Sequence, residues 1–312
     1  MSVSTASRSG LVYLVGAGIL WGTGGLLGTL LHRAAGLPPV SVATCRLAVG
    51  GLLLVAVLAT KRQPWPRNPL AWRRIGAVAV LAATFQAAYF GAVAAASVSL
   101  ATLITIGMSP VVVAVLEHST ERRAVDRRRA ATIGISLCGL ALLVGVPSGG
   151  TSAGGLLVGA ALASAAATAF ATTTVMNAAP VPGLDAMTTT GLGFTGGALL
   201  LVPVAATSGL AFHPTVGSVA LVLLLGLAPT AVAYTLYFRG LSEVGPGTAA
   251  VLALLEPLTG AVLAAVVLGE RLTTPALLGA TLLLMALLLA ATPGRLRSKG
   301  WRRRQAATVL RD

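Results

Sequence analysis

Ten apolar runs of membrane-crossing length follow one another through this sequence, and nearly all of its charge lies in the hinges between them. They cover roughly residues 11–31, 38–60, 75–95, 98–117, 130–146, 154–176, 186–207, 216–238, 247–268 and 275–292. A helix needs ~20 predominantly apolar residues to cross a bilayer, so each run predicts one span. Only 10% of the residues are charged, against about 25% in soluble domains. A chain this poor in charge has no means of covering a water-facing surface. The expectation is an all-α polytopic membrane protein of ten transmembrane helices.

The placement of the charges orients those spans. Lys and Arg number 22 against 8 Asp and Glu, a net charge of +14. With the N-terminus in the cytoplasm, 19 of the positives fall on the cytoplasmic side: Arg8, five over 61–74, five over 122–129, Arg239 and seven in the tail. Arg33 and Arg271 fall outside, and Arg46 lies within a run. The positive-inside rule therefore predicts a multi-pass protein of the cell (plasma or inner) membrane with both termini cytoplasmic. Basic hinges in that position suit anionic lipids at the cytoplasmic face as partners, and no nucleic acid is expected. The first run is too long for the apolar core of a signal peptide, which predicts an uncleaved first span. Cys45 and Cys138 both fall inside apolar runs and are read as core-packing thiols.

One stretch, residues 252–272, departs from simple lipid-facing chemistry. It is almost wholly apolar, yet Glu256 stands immediately before Pro257. An ionisable group at this depth is costly unless it faces a protein interior or a water-filled cavity. Proline removes a helix hydrogen bond and clashes with the preceding turn, which predicts a helix break there. Together these point to a transport pathway, with protons as a candidate coupling ion at Glu256. The competing reading is a carboxylate that only fixes packing. Arg46, about eight residues into its own run, carries a planar fork suited to a carboxylate; the competing readings are an ion pair with Glu256 and snorkelling to the headgroups. Trp21, Gln86, Tyr89, Tyr234 and Tyr237 are further candidates for lining a pathway, against ordinary packing. The translocation set is thus Trp21, Arg46, Gln86, Tyr89, Tyr234, Glu256 and Pro257. His32, His118 and His213 are too widely separated to argue a metal cluster, and no cofactor is expected. Residues 150–154 fit G-x-S-x-G but follow a membrane span in a loop of small residues, without the strand and sheet a nucleophile elbow needs, and are read as a turn. The chain is read as a non-enzyme.

An internal repeat organises the runs. Ser109-Pro110-Val111-Val112-Val113-Ala114-Val115-Leu116, followed by Glu121-Arg122, resembles Glu256-Pro257-Leu258-Thr259-Gly260-Ala261-Val262-Leu263, followed by Glu270-Arg271. Two halves of five spans result, and an odd number per half turns the second copy upside down. Inverted repeats with interrupted spans are a known transporter design. The expected domains are a first five-helix repeat at 1–148, a second, inverted, at 149–294, and a basic cytoplasmic tail at 295–312.

With these motifs the sequence resembles the EamA family of the drug/metabolite transporter superfamily. The resemblance runs from Leu11 to about Thr292 and rests on Trp21-Gly22, Arg46-Leu47, Pro110, Glu121-Arg122, residues 228–234, residues 237–241, residues 255–258 and residues 268–272. It departs in the sixth span, which lacks the Trp that often sits there, and in a more basic fourth hinge. The resemblance implies a ten-span bundle of two inverted repeats with a central pathway. It also implies export of small-molecule substrates, most often amino acids or related metabolites. Transport of nucleotide-sugar or lipid-linked substrates is the alternative, though it would favour more intramembrane cations than Arg46. An intramembrane enzyme would need a convergent Ser/His or Asp/Asp pair, and a scaffold would not need Glu256 beside Pro257. A homodimer is left open.

Overall fold

The computed structural model describes residues 3–121, 126–145, 152–210, 214–267, 269 and 271–292. Several residues singled out above lie outside that set: Arg122, Arg123, Gly150, Thr151, His213, Glu270 and the tail 295–312. The helices are α1 (Val3–Ala35), α2 (Pro39–Thr60), α3 (Pro69–Ala95), α4 (Val98–Glu121), α5 (Arg127–Val144), α6 (Ala153–Ala178), α7 (Ala186–Ser208), α8 (Val216–Gly226), α9 (Ala233–Val244), α10 (Pro246–Leu252), α11 (Leu255–Val267) and α12 (Thr274–Ala291). A π-helical turn, Leu227–Val232, joins α8 to α9 as one rod, and α10 with α11 forms another. Among the described residues nine rods are long and apolar enough to cross a membrane. The exception is α5, whose first turn holds Arg127, Arg128 and Arg129. Its remaining apolar length, 130–144, rises only ~22 Å at 1.5 Å per residue.

The hinges encode the helix starts. Asn68, Asp126, Ser152, Asp185 and Thr273 each accept a bond from a backbone N–H in the first turn that follows, satisfying a donor that has no partner within the helix. Thr215 and Ser218 form a reciprocal capping box at α8. Proline opens α2, α3 and α12 at positions where its missing N–H costs nothing.

The bundle is apolar on its outside. Leu157, Leu199, Val216, Val266 and Leu288 are all strongly exposed, as lipid contact requires. Cys138 is exposed too, which corrects its reading as a core thiol. Its neighbours Gly139 and Leu140 are the residues that turn inward, and a methyl on Gly139 would lie 2.9 Å from the Gly279 carbonyl of α12. Packing follows a pattern. α2 lies on α7 and α5 on α12; α3 meets α6 as α1 meets α9; α4 meets α6 as α1 meets α11; and α3 meets α7 as α2 meets α8. One end of the bundle collects Arg8, Lys61, Arg62, Arg67, Arg73, Arg127, Arg128 and Arg239 and is termed the basic face.

The break near Pro257 is displaced from where the sequence puts it. α10 ends at Leu252 and α11 begins at Leu255, so Glu256 and Pro257 lie in the first turn of α11. A proline ring clashes with the carbonyl four residues earlier, here that of Ala253. The chain leaves α-geometry at that point, and the Ala253 carbonyl instead accepts from Glu256 N at 3.0 Å. Pro110, by contrast, sits inside a continuous α4.

Candidate functional site

A cavity of about 540 Å³ enters the bundle from the end opposite the basic face. Thr29 and His32 near the end of α1, Pro39 at the start of α2 and Val98 at the start of α4 form its rim. From His32 down to Trp21 is eleven residues of α1, or ~16 Å, so the floor lies in the middle of the membrane-spanning length. Trp21 makes that floor with Tyr234 and Phe170, at ring-centroid distances of 4.8 and 5.9 Å. Beneath it Leu14, Ala17, Phe238, Leu241 and Leu252 close the bundle toward the basic face.

All seven residues of the translocation set line this one cavity. Trp21 is held by a close approach. Gly18 and Gly22 place α1 directly on the α10–α11 rod, and a methyl on Gly22 would fall 2.4 Å from Thr259 Cβ and 2.9 Å from the Glu256 carbonyl oxygen. That contact needs the bare backbone of glycine. Gly24 and Gly28, the next pair at the same spacing, face the cavity instead and widen it.

Arg46 is positioned by the π-helical turn. Pro229 has no N–H to donate, and Thr230 Oγ1 bonds the Leu225 carbonyl at 2.9 Å. Thr230 Oγ1 in turn accepts from Arg46 Nε at 3.3 Å. π-Turns inside helices recur at functional sites, and here the turn supplies the oxygen that holds the guanidinium stem. Arg46 and Glu256 do not form an ion pair, and Arg46 lines the cavity instead of reaching for headgroups. Tyr89 shares a hydrogen bond with Thr102 at 2.9 Å. Tyr237 is the one further candidate that does not line the cavity; it is buried under the floor, within 3.0 Å of Thr174 Oγ1.

Several polar groups in the cavity have no hydrogen-bond partner among the described residues. Among the described residues none accepts from Trp21 Nε1, although the side chain is 4% exposed. None hydrogen-bonds the Gln86 amide or the Glu256 carboxylate either. Buried polar groups are normally satisfied, so this cavity carries unspent capacity to bind: an indole donor, an amide, a carboxylate and the outer nitrogens of a guanidinium.

Part of the lining escaped sequence reasoning. Phe85, Phe90 and Phe170 build an aromatic wall, with Phe85 and Phe170 6.0 Å apart. Phe170 brings an aromatic ring to the sixth span, where the family's Trp is missing. Thr102, Thr105 and Ser109 add hydroxyls from α4. Their spacing of three and four residues on an otherwise apolar run puts them on one helix face, a signal the sequence does carry.

Comparison with known proteins agrees with this architecture. The EamA-like transporter family model matches residues 8–145 and again residues 157–292. A Bacillus subtilis protein described as the uncharacterized transporter YwfM is 28% identical over 285 residues, spanning 91% of this chain and 94% of its own length. A Salmonella typhimurium protein described as the uncharacterized inner membrane transporter YicL is 25% identical over 307 residues, spanning 94% and 99%. A solved crystal structure superposes with a TM-score of 0.74 at 21% identity, covering 91% of this chain and 96% of that one; it bears on the fold alone.

Proposed function

The chain belongs to the EamA-like transporter family and is a multi-pass membrane transporter, and on that premise we propose that it exports amino acids or related zwitterionic metabolites by alternating access. The observation that carries this reading is the cavity itself. One aromatic-walled space holds an unpaired carboxylate, Glu256, and a guanidinium, Arg46, whose fork is unspent. An α-carboxylate fits the fork bidentately, and an α-ammonium fits Glu256. A nucleotide diphosphate would place several negative charges against the single arginine of the lining.

Packing and the placement of charge support the rest of the reading. Ten spans form two halves, 1–148 and 149–294, the second inverted, with a basic tail at 295–312. The most extensive helix contacts each have a counterpart when span numbers are exchanged by five, which supports an inverted repeat. α5 is the fifth span and completes the ten, its arginines in the headgroup layer and its apolar part against α12. The basic face is cytoplasmic, next to anionic lipid in the plasma or inner membrane, so the cavity opens outward.

Counterflow into proteoliposomes tests the substrate. Preloaded zwitterionic amino acids should exchange, whereas the matching amines and carboxylic acids, each lacking one charge, should exchange poorly. Exchange of a sugar nucleotide with no amino-acid exchange would overturn the reading. Orientation is tested by single cysteines in a background lacking Cys45 and Cys138. Pro214→Cys should react with an impermeant reagent from outside, and Gln63→Cys should not.

A further inference from the structure

At the basic end, Glu117 in the last turns of α4 forms an ion pair with Arg129 in the first turn of α5. Glu117 is 1% exposed. The pair sits on α10. A methyl on Gly247, in the first turn of α10, would fall 2.7 Å from Arg129 Nη2, 2.8 Å from Arg129 Cζ and 3.1 Å from Glu117 Oε2. A methyl there would displace the Arg129 guanidinium from its present seat on the α10 backbone.

The elements joined at this point are the ones that separate at the other end. α4 contributes Val98, Thr102, Thr105, Ile106 and Ser109 to the cavity, and the α10–α11 rod faces it with Ala253, Glu256, Pro257 and Gly260. The two rods therefore touch near the basic face and diverge toward the opposite rim. The register that sets Ser109-Pro110 on Glu256-Pro257 also sets the α5 cap Asp126 on the α12 cap Thr273. In that register Glu117 falls on Ala264, Arg129 on Ala276 and Gly247 on Leu100. The opposite end thus has small apolar residues where the basic end has a seated ion pair.

We propose that Glu117, Arg129 and Gly247 form the gate at the basic end: the ion pair, seated on the bare backbone of Gly247, holds α4 and α5 against α10 and keeps the cavity closed on that side. This rests on the alternating-access reading, but not on the identity of the substrate or on which face is cytoplasmic. An ion pair removed from water is strongly coupled, and removing one partner leaves an uncompensated charge. Opening the gate parts the two charges, so their contact is made only in the closed state, where α4, α5 and α10 meet. The apolar counterpart offers no such bias at the opposite end.

Distances between spin labels on purified full-length protein in nanodiscs test the gate directly. One pair, at Ser119 and Ser242, spans the basic end; a second, at Ser99 and Val266, spans the opposite end. The unmodified gate should give one short basic-end distance. Glu117→Gln should raise the population of a longer basic-end distance about tenfold or more, with the opposite-end pair drawing closer. Gly247→Ala should do the same while keeping both charges, because the added methyl unseats the pair and alanine itself suits a helix. The exchange Glu117→Arg with Arg129→Glu should recover part of the closed population lost in Glu117→Gln. Unchanged distances in folded Glu117→Gln and Gly247→Ala proteins would overturn the proposal. So would both ends loosening together with a fall in Tm, since that is the signature of a contact that only holds the fold. A failure of amino-acid counterflow leaves these distances unaffected, so the two readings fail separately.

Discussion

The two ends of the bundle are built from the same rods, yet one is laced by polar contacts and the other stands open. At the basic end Ser9 donates to Glu243, Gln63 to Asp185, Arg74 to the carbonyls of Met176 and Ala179, and Arg128 to those of Leu289 and Thr292, in addition to the Glu117–Arg129 pair. Among the described residues, the tie between helix ends at the opposite rim is Ser41 Oγ to the Gly209 carbonyl at 2.8 Å, and His32 Nδ1 bonds locally to the Leu37 carbonyl. The difference shows where a preference between ends can come from. In lipid, apolar helix surfaces gain little from one another that acyl chains do not also offer. Polar contacts near the membrane boundary are then the terms able to bias one end shut.

The largest effect should come from the point where the open and closed ends meet. Gly22→Val forces a branched side chain into a gap that already lacks room for a methyl. Overpacking of this kind costs about 1–3 kcal/mol, and it pushes α1 off α11 at the cavity floor. A lowered Tm and loss of most counterflow are expected. A variant that melts and transports normally would mean that the floor is not the pivot between the two ends. Next comes Arg46→Lys, which keeps the charge and loses the fork. Its hydrogen bond among the described residues is the 3.3 Å one from Nε to Thr230, which lysine can replace with its ammonium, so Tm should hold. Loss of one charge-assisted hydrogen bond, ~1.5–3 kcal/mol, should weaken apparent substrate affinity about tenfold or more. Unaltered affinity would remove Arg46 from the binding role.

How much of this was legible beforehand differs between features. The spans, their hinges and the two ionisable groups in the middle follow from hydropathy and charge, because a carboxylate among leucines has few explanations. Whether Trp21, Gln86, Tyr89 and Tyr234 share one cavity does not follow, since each is equally compatible with packing. It took the α1–α11 approach at Gly22 and the π-turn at Thr230 to bring them together. The helix break was readable from Pro257, but its position was not, because the clash acts on Ala253 a turn earlier. Phe170 was hidden by the expectation of a tryptophan. The ion pair was hidden because Glu117 and Arg129 lie on opposite sides of a hinge crowded with other charges. Nothing in their spacing singles them out from neighbouring arginines.

Glu256→Gln should have a smaller effect on flux, confined to its dependence on pH. Glutamine imitates the protonated carboxyl and cannot lose a proton. If Glu256 carries a coupling proton, the variant should behave at every pH as the parent does at low pH, with a flat profile and exchange preserved. Measuring counterflow at several pH values on both proteins decides it. A stable variant that keeps the parental profile would place the coupling elsewhere.

The smallest effect should come from an exposed tie at the closed end. Gln63 Nε2 donates to Asp185 Oδ2 at 2.5 Å, and both groups are solvent-exposed. They join the α2–α3 hinge to the start of α7, and α2 and α7 are already packed along their length. Asp185 also caps α7 by accepting from Thr188 N at 2.7 Å. Gln63→Ala therefore removes only an exposed hydrogen bond, worth about 0.5–1.5 kcal/mol at most, while Asp185→Ala removes the cap as well, at about 0.5–2 kcal/mol. Neither contact lies between α4 and α10. Both variants should leave the Ser119–Ser242 distance unchanged, with Tm falling slightly more for Asp185→Ala. If Gln63→Ala lengthened that distance as Glu117→Gln does, the closed end would be held by the sum of its polar contacts, and the seated ion pair would lose its special place among them.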